Sequence, residues 1–190
     1  MGTNGTWKEW ESASDRDGVK LEVRKNAKTG VFQTRVSGTI GSATDEIWKI
    51  LVAPKSYCEI MPKTLESRYI DEQPKKKQTH CYQRVSGGVV SERDYTLRVN
   101  WTEEKGKHGT KYHRTWTIEN EKGPEPRKGV VRVEVHDGSW TLTPLAAGKT
   151  AFEQLNYIEL GGSLWTMLAN QAVQDAAKDL VGSLKRRFET

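Results

Sequence analysis

The sequence predicts an α+β domain in which a curved antiparallel β-sheet wraps around one long C-terminal helix. Three observations carry that expectation: an unbroken helical pattern over 164–188, six successive strand patterns before it, and a β-β-α opening. The helix has a marked start, since Gly161 and Gly162 let the chain turn sharply, Ser163 is a capping residue, and no proline follows. Trp165, Leu168, Ala172, Ala176, Leu180 and Leu184 recur every three or four residues and form one stripe, while Gln174, Asp175, Lys178 and Lys185 fall largely elsewhere. At about 1.5 Å per residue this helix is roughly 38 Å long, enough to cross a small domain. The alanines in its middle either bring the backbone close to the sheet or leave room for a guest.

Taken in order, Trp7 and Trp10 sit in a polar lead-in that reads as a short helix, followed by a turn over 15–18. Val19, Leu21 and Val23 alternate with Lys20, Glu22 and Arg24, the pattern of a half-buried strand, and a loop over 26–30 leads into a second strand over 31–40. Ser42 to Glu46 starts a helix through Ile47, Trp48, Leu51 and Val52, which Pro54 stops. The stretch 57–63 is irregular or weakly helical. Strand patterns then occupy 65–72, 77–86, 92–104, 110–120, 129–142 and 149–160, separated by Gly, Pro or Lys/Glu-rich turns. A curved sheet gripping a helix leaves a gap between them, and that gap is the candidate site.

Length and composition set the bounds. The 190 residues suit a single domain over 1–190 with a real core. Seven tryptophans, six tyrosines and three phenylalanines in a chain only 35% hydrophobic concentrate the apolar material in bulky rings, which can wall a cavity. The formal charge of +5 favours anionic surfaces, and no segment approaches the roughly 20 apolar residues of a membrane span, so any membrane contact is expected to be peripheral. Cys58 and Cys81 have no metal or disulfide-framework spacing, and His80, His108, His113 and His136 are dispersed, so neither metal nor cofactor is expected. The polar start has no apolar signal core. The compartment stays open, with the cytoplasm preferred unless a leader was removed.

Period-two alternation assigns an inward face. Tyr95, Leu97, Val99 and Trp101 share one side of their strand; Tyr112, Arg114 and Trp116 are in phase on the next. Val131, Val133 and Val135 line the following strand, with a bulge at Gly138 turning Trp140 and Leu142 inward. On the last strand Phe152, Gln154, Asn156 and Ile158 alternate with Leu155 and Tyr157, and either set suits the interior. No inward His, Asp or Glu pair emerges, and the aromatics lie on the presumed inner face rather than along a basic stripe, so nucleic-acid binding is not expected.

Val90-Ser91-Glu92-Arg93-Asp94-Tyr95, Gly129-Val130-Val131-Arg132-Val133, Gly161-Gly162-Ser163-Leu164-Trp165 with Asn170-Gln171, and the ending Leu184-Lys185-Arg186-Arg187-Phe188 occur in an order that resembles the START family, the steroidogenic acute regulatory protein-related lipid-transfer domains. The resemblance runs from Trp7 through the last helix. It implies a helix-grip fold enclosing a tunnel for one lipid, with the segment 119–128 as a lid over the tunnel mouth. Several members carry a tunnel arginine six residues beyond the arginine of the Arg-Asp-Tyr motif; here that position is Val99, with Arg98 pointing outward. Arg114 is then the inward charge, or a snorkelling edge residue, while Arg93 and Asp94 are expected to form a structural ion pair or turn clamp.

These readings converge on a soluble, monomeric, non-enzymatic lipid carrier that meets membranes transiently. The expected ligand contacts are Tyr95, Leu97, Val99, Trp101, Tyr112, Arg114, Trp116, Val131, Val133, Gln154 and Asn156 of the sheet with Leu164, Met167, Leu168 and Val173 of the helix. A sterol is preferred, because the tunnel reads as poor in charge and the Asn170-Gln171 and Lys-Arg-Arg ending looks closest to sterol carriers; a phospholipid or fatty acid is the alternative. Lys75-Lys76-Lys77 and Lys185-Arg186-Arg187 are a solvated turn and a helix end, or else attract anionic headgroups. A polyketide cyclase-like enzyme and a small-hydrophobe sensor are the other functions this architecture accommodates.

Overall fold

The computed structural model describes residues 7–188 other than 17, 62, 88, 89, 163 and 164. Strands β1 (Glu11–Arg16), β2 (Val19–Lys25) and β3 (Phe32–Ile40) precede helices α1 (Thr44–Val52) and α2 (Pro54–Ile60). Strands β4 (Thr64–Gln73), β5 (Gln78–Val85), β6 (Arg93–Gly106), β7 (Gly109–Ile118), β8 (Val131–Arg132), β9 (Val135–Pro144) and β10 (Thr150–Glu159) lead to the long helix α3 (Thr166–Phe188). The sheet order is β1-β2-β3-β10-β9-β7-β6-β5-β4, antiparallel throughout, with β8 lying parallel to the start of β6. Because β3 pairs with β10, the opening hairpin closes against the last strand.

Helix α3 lies across the concave face. Its buried residues are Ala169, Asn170, Val173, Ala177, Leu180, Val181 and Leu184, one position along from much of the stripe read in the sequence. Trp165 is 75% exposed and precedes the first helical residue, so it does not face the core. Asn170 ties the helix to the β2–β3 turn: its Oδ1 accepts from the Phe32 N–H at 2.8 Å and its Nδ2 donates to the Gly30 carbonyl at 3.1 Å. The expected capping residue Ser163 and the ligand candidate Leu164 lie outside the described residues.

Four sequence expectations change. The tryptophan lead-in is not helical: Trp7 bridges Asn26, Glu11–Arg16 is an edge strand, and Arg24 and Arg35 stack over the indole rings of Trp7 and Trp10 at 4.3–4.8 Å. Pro54 does not merely stop α1 but occupies the first turn of α2, where its missing N–H is no loss. Gly138 makes no bulge, since β9 stays in register with β10 and β7 across it. The phase shift instead falls between β8 and β9, around Val133 and Glu134, and it turns His136, Trp140 and Leu142 to the inside. Gly138 is needed for space: a Cβ there would meet the Trp116 ring at 2.2 Å and the Leu155 carbonyl oxygen at 2.6 Å.

The fourth change concerns the segment 119–128, which packs on the convex face rather than over an opening. Glu119 accepts from Arg98 at 2.5 Å and approaches His80 Nε2 at 2.6 Å, and the Asn120 Oδ1 accepts from the Thr96 N–H at 2.9 Å. Arg98, Thr96 and His80 all alternate outward from Leu97 and Cys81. Asp94, 1% exposed, is clamped on the same side by Arg132 at 2.7 and 3.1 Å and by the Tyr82 hydroxyl at 3.1 Å. Its ion-pair partner is thus Arg132 and not Arg93. Removing one member of a buried pair strands the other, so Asp94→Asn should cost about 3–5 kcal/mol in denaturant unfolding. Gly138→Ala should lower the thermal midpoint through a loss of about 1–3 kcal/mol, because neither an indole held by its neighbours nor a ladder carbonyl can withdraw.

Candidate functional site

The inward residues of β5, β6, β7, β9 and β10 and the alanine face of α3 do not meet. They enclose a cavity of about 320 Å³, at the lower end of the roughly 300–1,000 Å³ usual for ligand pockets. Leu97, Ile158 and Leu160 line the sheet side, and Leu168, Ala172, Val173, Ala176, Ala177 and Leu180 the helix side. From Leu168 to Leu180 the helix runs roughly 18 Å along it. The small side chains at 172, 176 and 177 are what keeps the space open, while Leu180, Val181 and Leu184, each at most 3% exposed, seal the far end.

The two ends differ. Lys63, Val90 and Leu168 line the cavity and are exposed, so they mark its mouth. Trp165 and Met167, 75% and 72% exposed, flank Leu168, giving that rim a cluster of large apolar side chains. Arg93 also lines the cavity, donating to the Leu160 and Ser91 carbonyls. At the closed end Arg114 is buried and donates from Nη1 to the Leu51 carbonyl in the last turn of α1, where the helix end carries partial negative charge. Arg114 does not snorkel to water.

Between these ends lies His136, cross-strand from Ile158, its Nε2 2.9 Å from the Asn156 Oδ1. As Asn156 offers an oxygen there, Nε2 carries the proton and Nδ1 presents a lone pair. The Tyr95 ring meets the imidazole edge-on at 4.8 Å. Burial in these apolar surroundings lowers its pKa to about 4, so the ring is neutral near pH 7. Burial likewise pushes the Tyr57, Tyr95 and Cys81 side chains up and keeps them uncharged. The charged lining residues are therefore Arg114, Arg93 and Lys63, and no carboxylate is among the described residues of the wall.

The expected contact residues divide accordingly. Tyr95, Leu97, Arg114, Trp116, Gln154, Asn156, Leu168 and Val173 come together around the cavity. Val99 is 1% exposed in the core beyond it, Tyr112 stacks on Trp48 at 4.5 Å, and Trp101 sits against the same indole at 6.5 Å. Val131 and Val133 precede the phase shift and lie off the wall, and Met167 faces solvent. Sequence reasoning missed His136, whose inward phase follows once the shift is placed before β9. It also missed Tyr57 of α2, Met61 just past its end, and Cys81 and Gln83 of β5, which enter the wall as well. Among the described residues no group of three or more His, Cys, Asp or Glu could hold a metal ion.

No protein-family model matches the chain, and no curated protein matches it in sequence. Solved structures do match. A STAR-related lipid transfer protein from Xanthomonas axonopodis (fragment 25–204) superposes with a TM-score of 0.81 at 24% identity, covering 96% of this chain and 100% of that one. The human StAR-related lipid transfer protein 5 gives 0.81 at 16% identity over 99% of this chain and 88% of its own. The fold is the START helix-grip fold. The Zhui aromatase/cyclase from Streptomyces sp. R1128 is more distant, with a TM-score of 0.56 at 14% identity over 83% of this chain and 93% of that one. Within the START fold this chain combines a cavity open at an apolar rim with a buried cation at its closed end.

The neutral state of His136 has a measurable consequence. Its pKa in the folded protein lies below the ordinary value of 6.5, so the unfolded chain binds more protons between pH 6.5 and 4. Folding stability should be fully present above pH 6.5 and fall through that window, by roughly 3 kcal/mol if the whole shift is expressed. Urea titrations of the protein and of His136→Gln across pH 4–7 check this: the variant should lose that part of the slope.

Proposed function

We propose that the protein binds one hydrophobic lipid in the cavity between the sheet and α3 and carries it between membranes without chemical change. The observation that carries this reading is the enclosed apolar cavity whose only exposed described lining residues, Lys63, Val90 and Leu168, stand beside a rim of exposed apolar side chains. A lipid must leave water on entry and still depart, so an apolar wall and an apolar, membrane-compatible rim are both required. Three structural neighbours are titled as lipid-transfer proteins or domains, which supports the same reading. No described helix is long and apolar enough to cross a membrane, so contact through the rim would be peripheral.

The membrane-facing end in this reading is the mouth, not the basic runs. Lys75 and Lys76 form the turn before β5, whose other end, Val85, lies at the mouth roughly 23 Å away. Arg187 pairs with Glu59 of α2 at 3.1 Å, at the far end of α3. The ground for preferring a sterol also weakens, since the wall is not poor in charge, and Asn170 serves as a structural tie. A cyclase-like enzyme is the second reading, favoured by the unpartnered Nδ1 of His136 in the wall and disfavoured by the lack of a lining carboxylate.

A vesicle-to-vesicle assay with fluorescent sterol, phospholipid and fatty acid tests the carrier reading. The protein should accelerate transfer of at least one of them. Replacing Trp165 and Met167 together by serine should slow that transfer several-fold while leaving ligand affinity unchanged, because neither side chain lines the cavity. Acceleration of none, with the protein folded, would count against a carrier.

A further inference from the structure

Native proteins leave few buried polar groups unpaired. Among the described residues of this chain the buried side-chain atoms without a hydrogen-bond partner are Arg84 Nε, which has Glu66 at 3.6 Å as an ion pair, Thr96 Oγ1, Trp140 Nε1, and four that belong to cavity-lining residues: Arg114 Nε, Trp116 Nε1, His136 Nδ1 and Gln154 Oε1. Their concentration on one wall marks it as the polar side of the cavity. Two of the four, Arg114 and Trp116, are successive inward positions of β7, and each offers an N–H with nothing to receive it. Gln154 lies in the same cross-strand row as Arg114, with Trp140 between them.

Arg114 sets the charge of that occupant. A guanidinium cannot deprotonate at accessible pH, and a buried cation is normally paired. Among the described residues Arg114 has one hydrogen-bond acceptor, the Leu51 carbonyl, and no carboxylate. The titratable groups it acts on are Tyr57, Tyr69 and Cys81, all held neutral by burial. The partial negative charge at the end of α1 offsets only part of one unit. An anionic group entering the cavity would meet the Arg114 guanidinium, whose fork of N–H groups matches the two oxygens of a carboxylate. A phosphate monoester would bring a third free oxygen and a second charge, and a phosphodiester, though singly charged, would bring a glycerol and two chains into a cavity of about 320 Å³.

We infer that the cavity takes a long-chain carboxylate head first, its carboxylate against the Arg114 guanidinium at the closed end and its hydrocarbon chain along Leu97, Ile158 and the alanines of α3 toward the mouth. This rests on the carrier reading and names the ligand class for the same cavity.

The test compares dodecanoate with dodecanol, which differ only in the head, by calorimetric titration of delipidated protein. Dodecanoate should bind at least tenfold more tightly than dodecanol. Arg114→Met should remove that preference, and Arg114→Lys should keep part of it. In the unaltered protein the carbon-13 resonance of [1-13C]dodecanoate should report a carboxylate that stays ionised where the free acid protonates, a readout that stands even if Arg114→Met does not fold. Equal affinity for the two heads, or a preference that survives in folded Arg114→Met, overturns the inference. If dodecanol or cholesterol binds and dodecanoate does not, the carrier reading survives and the carboxylate assignment falls. If dodecanoate, dodecanol, cholesterol and phosphatidylcholine all fail to bind, the carrier reading falls and takes the assignment with it.

Discussion

One helix cannot fill the hollow of a strongly curved ten-stranded sheet, and everything notable about this molecule follows from where α3 packs tightly and where it does not. Its last turns bring Leu180, Val181 and Leu184 into full burial, and Asn170 fastens its beginning to the β2–β3 turn. Between those two anchorages the helix presents alanines. A run of leucines there would close the gap and gain the usual burial energy of about 1.5–3 kcal/mol per large side chain. The sequence forgoes that gain, which is the expected signature of a wall shaped for a guest rather than for stability.

The same division appears in the electrostatics. On the convex face the buried carboxylates Asp94 and Glu22 are paired, with Arg132 and with Arg35 at 2.7 Å and Lys20 at 2.8 Å, and so is the half-buried Glu119, with Arg98 and His80. The guanidinium of Arg35, ahead of Lys20, holds the Glu22 carboxyl down to about 2. On the concave face Arg114 is buried with a helix carbonyl and nothing anionic. Those outer carboxylates are met by the protein's own cations, whereas Arg114, like Arg93 near the mouth, meets only carbonyls.

Much of this was legible in the sequence, for a physical reason. Antiparallel strands alternate strictly, so Tyr95 and Leu97, Arg114 and Trp116, and Gln154 and Asn156 could be placed in three facing sets from their spacing alone. Alternation fails where the ladder breaks. Val131 and Val133 are out of phase with Trp140 and Leu142, which requires a shift somewhere between them; glycine made 138 the natural place, but the break precedes β9, and His136 moves inside as a result. Reading His136 inward was open to anyone who weighed both positions. The contributions of Tyr57, Cys81 and Gln83, and the docking of 119–128 on the outer face, depend on which strands become neighbours in the sheet, and no local pattern encodes that.

The most direct test of the account is native mass spectrometry of the purified protein, followed by organic extraction and identification of what it carries. The account predicts one lipid per chain, released intact and removable without loss of the fold. A protein that emerges empty, and that remains at the bare-chain mass after incubation with vesicles containing fatty acid, sterol and phospholipid, would contradict it.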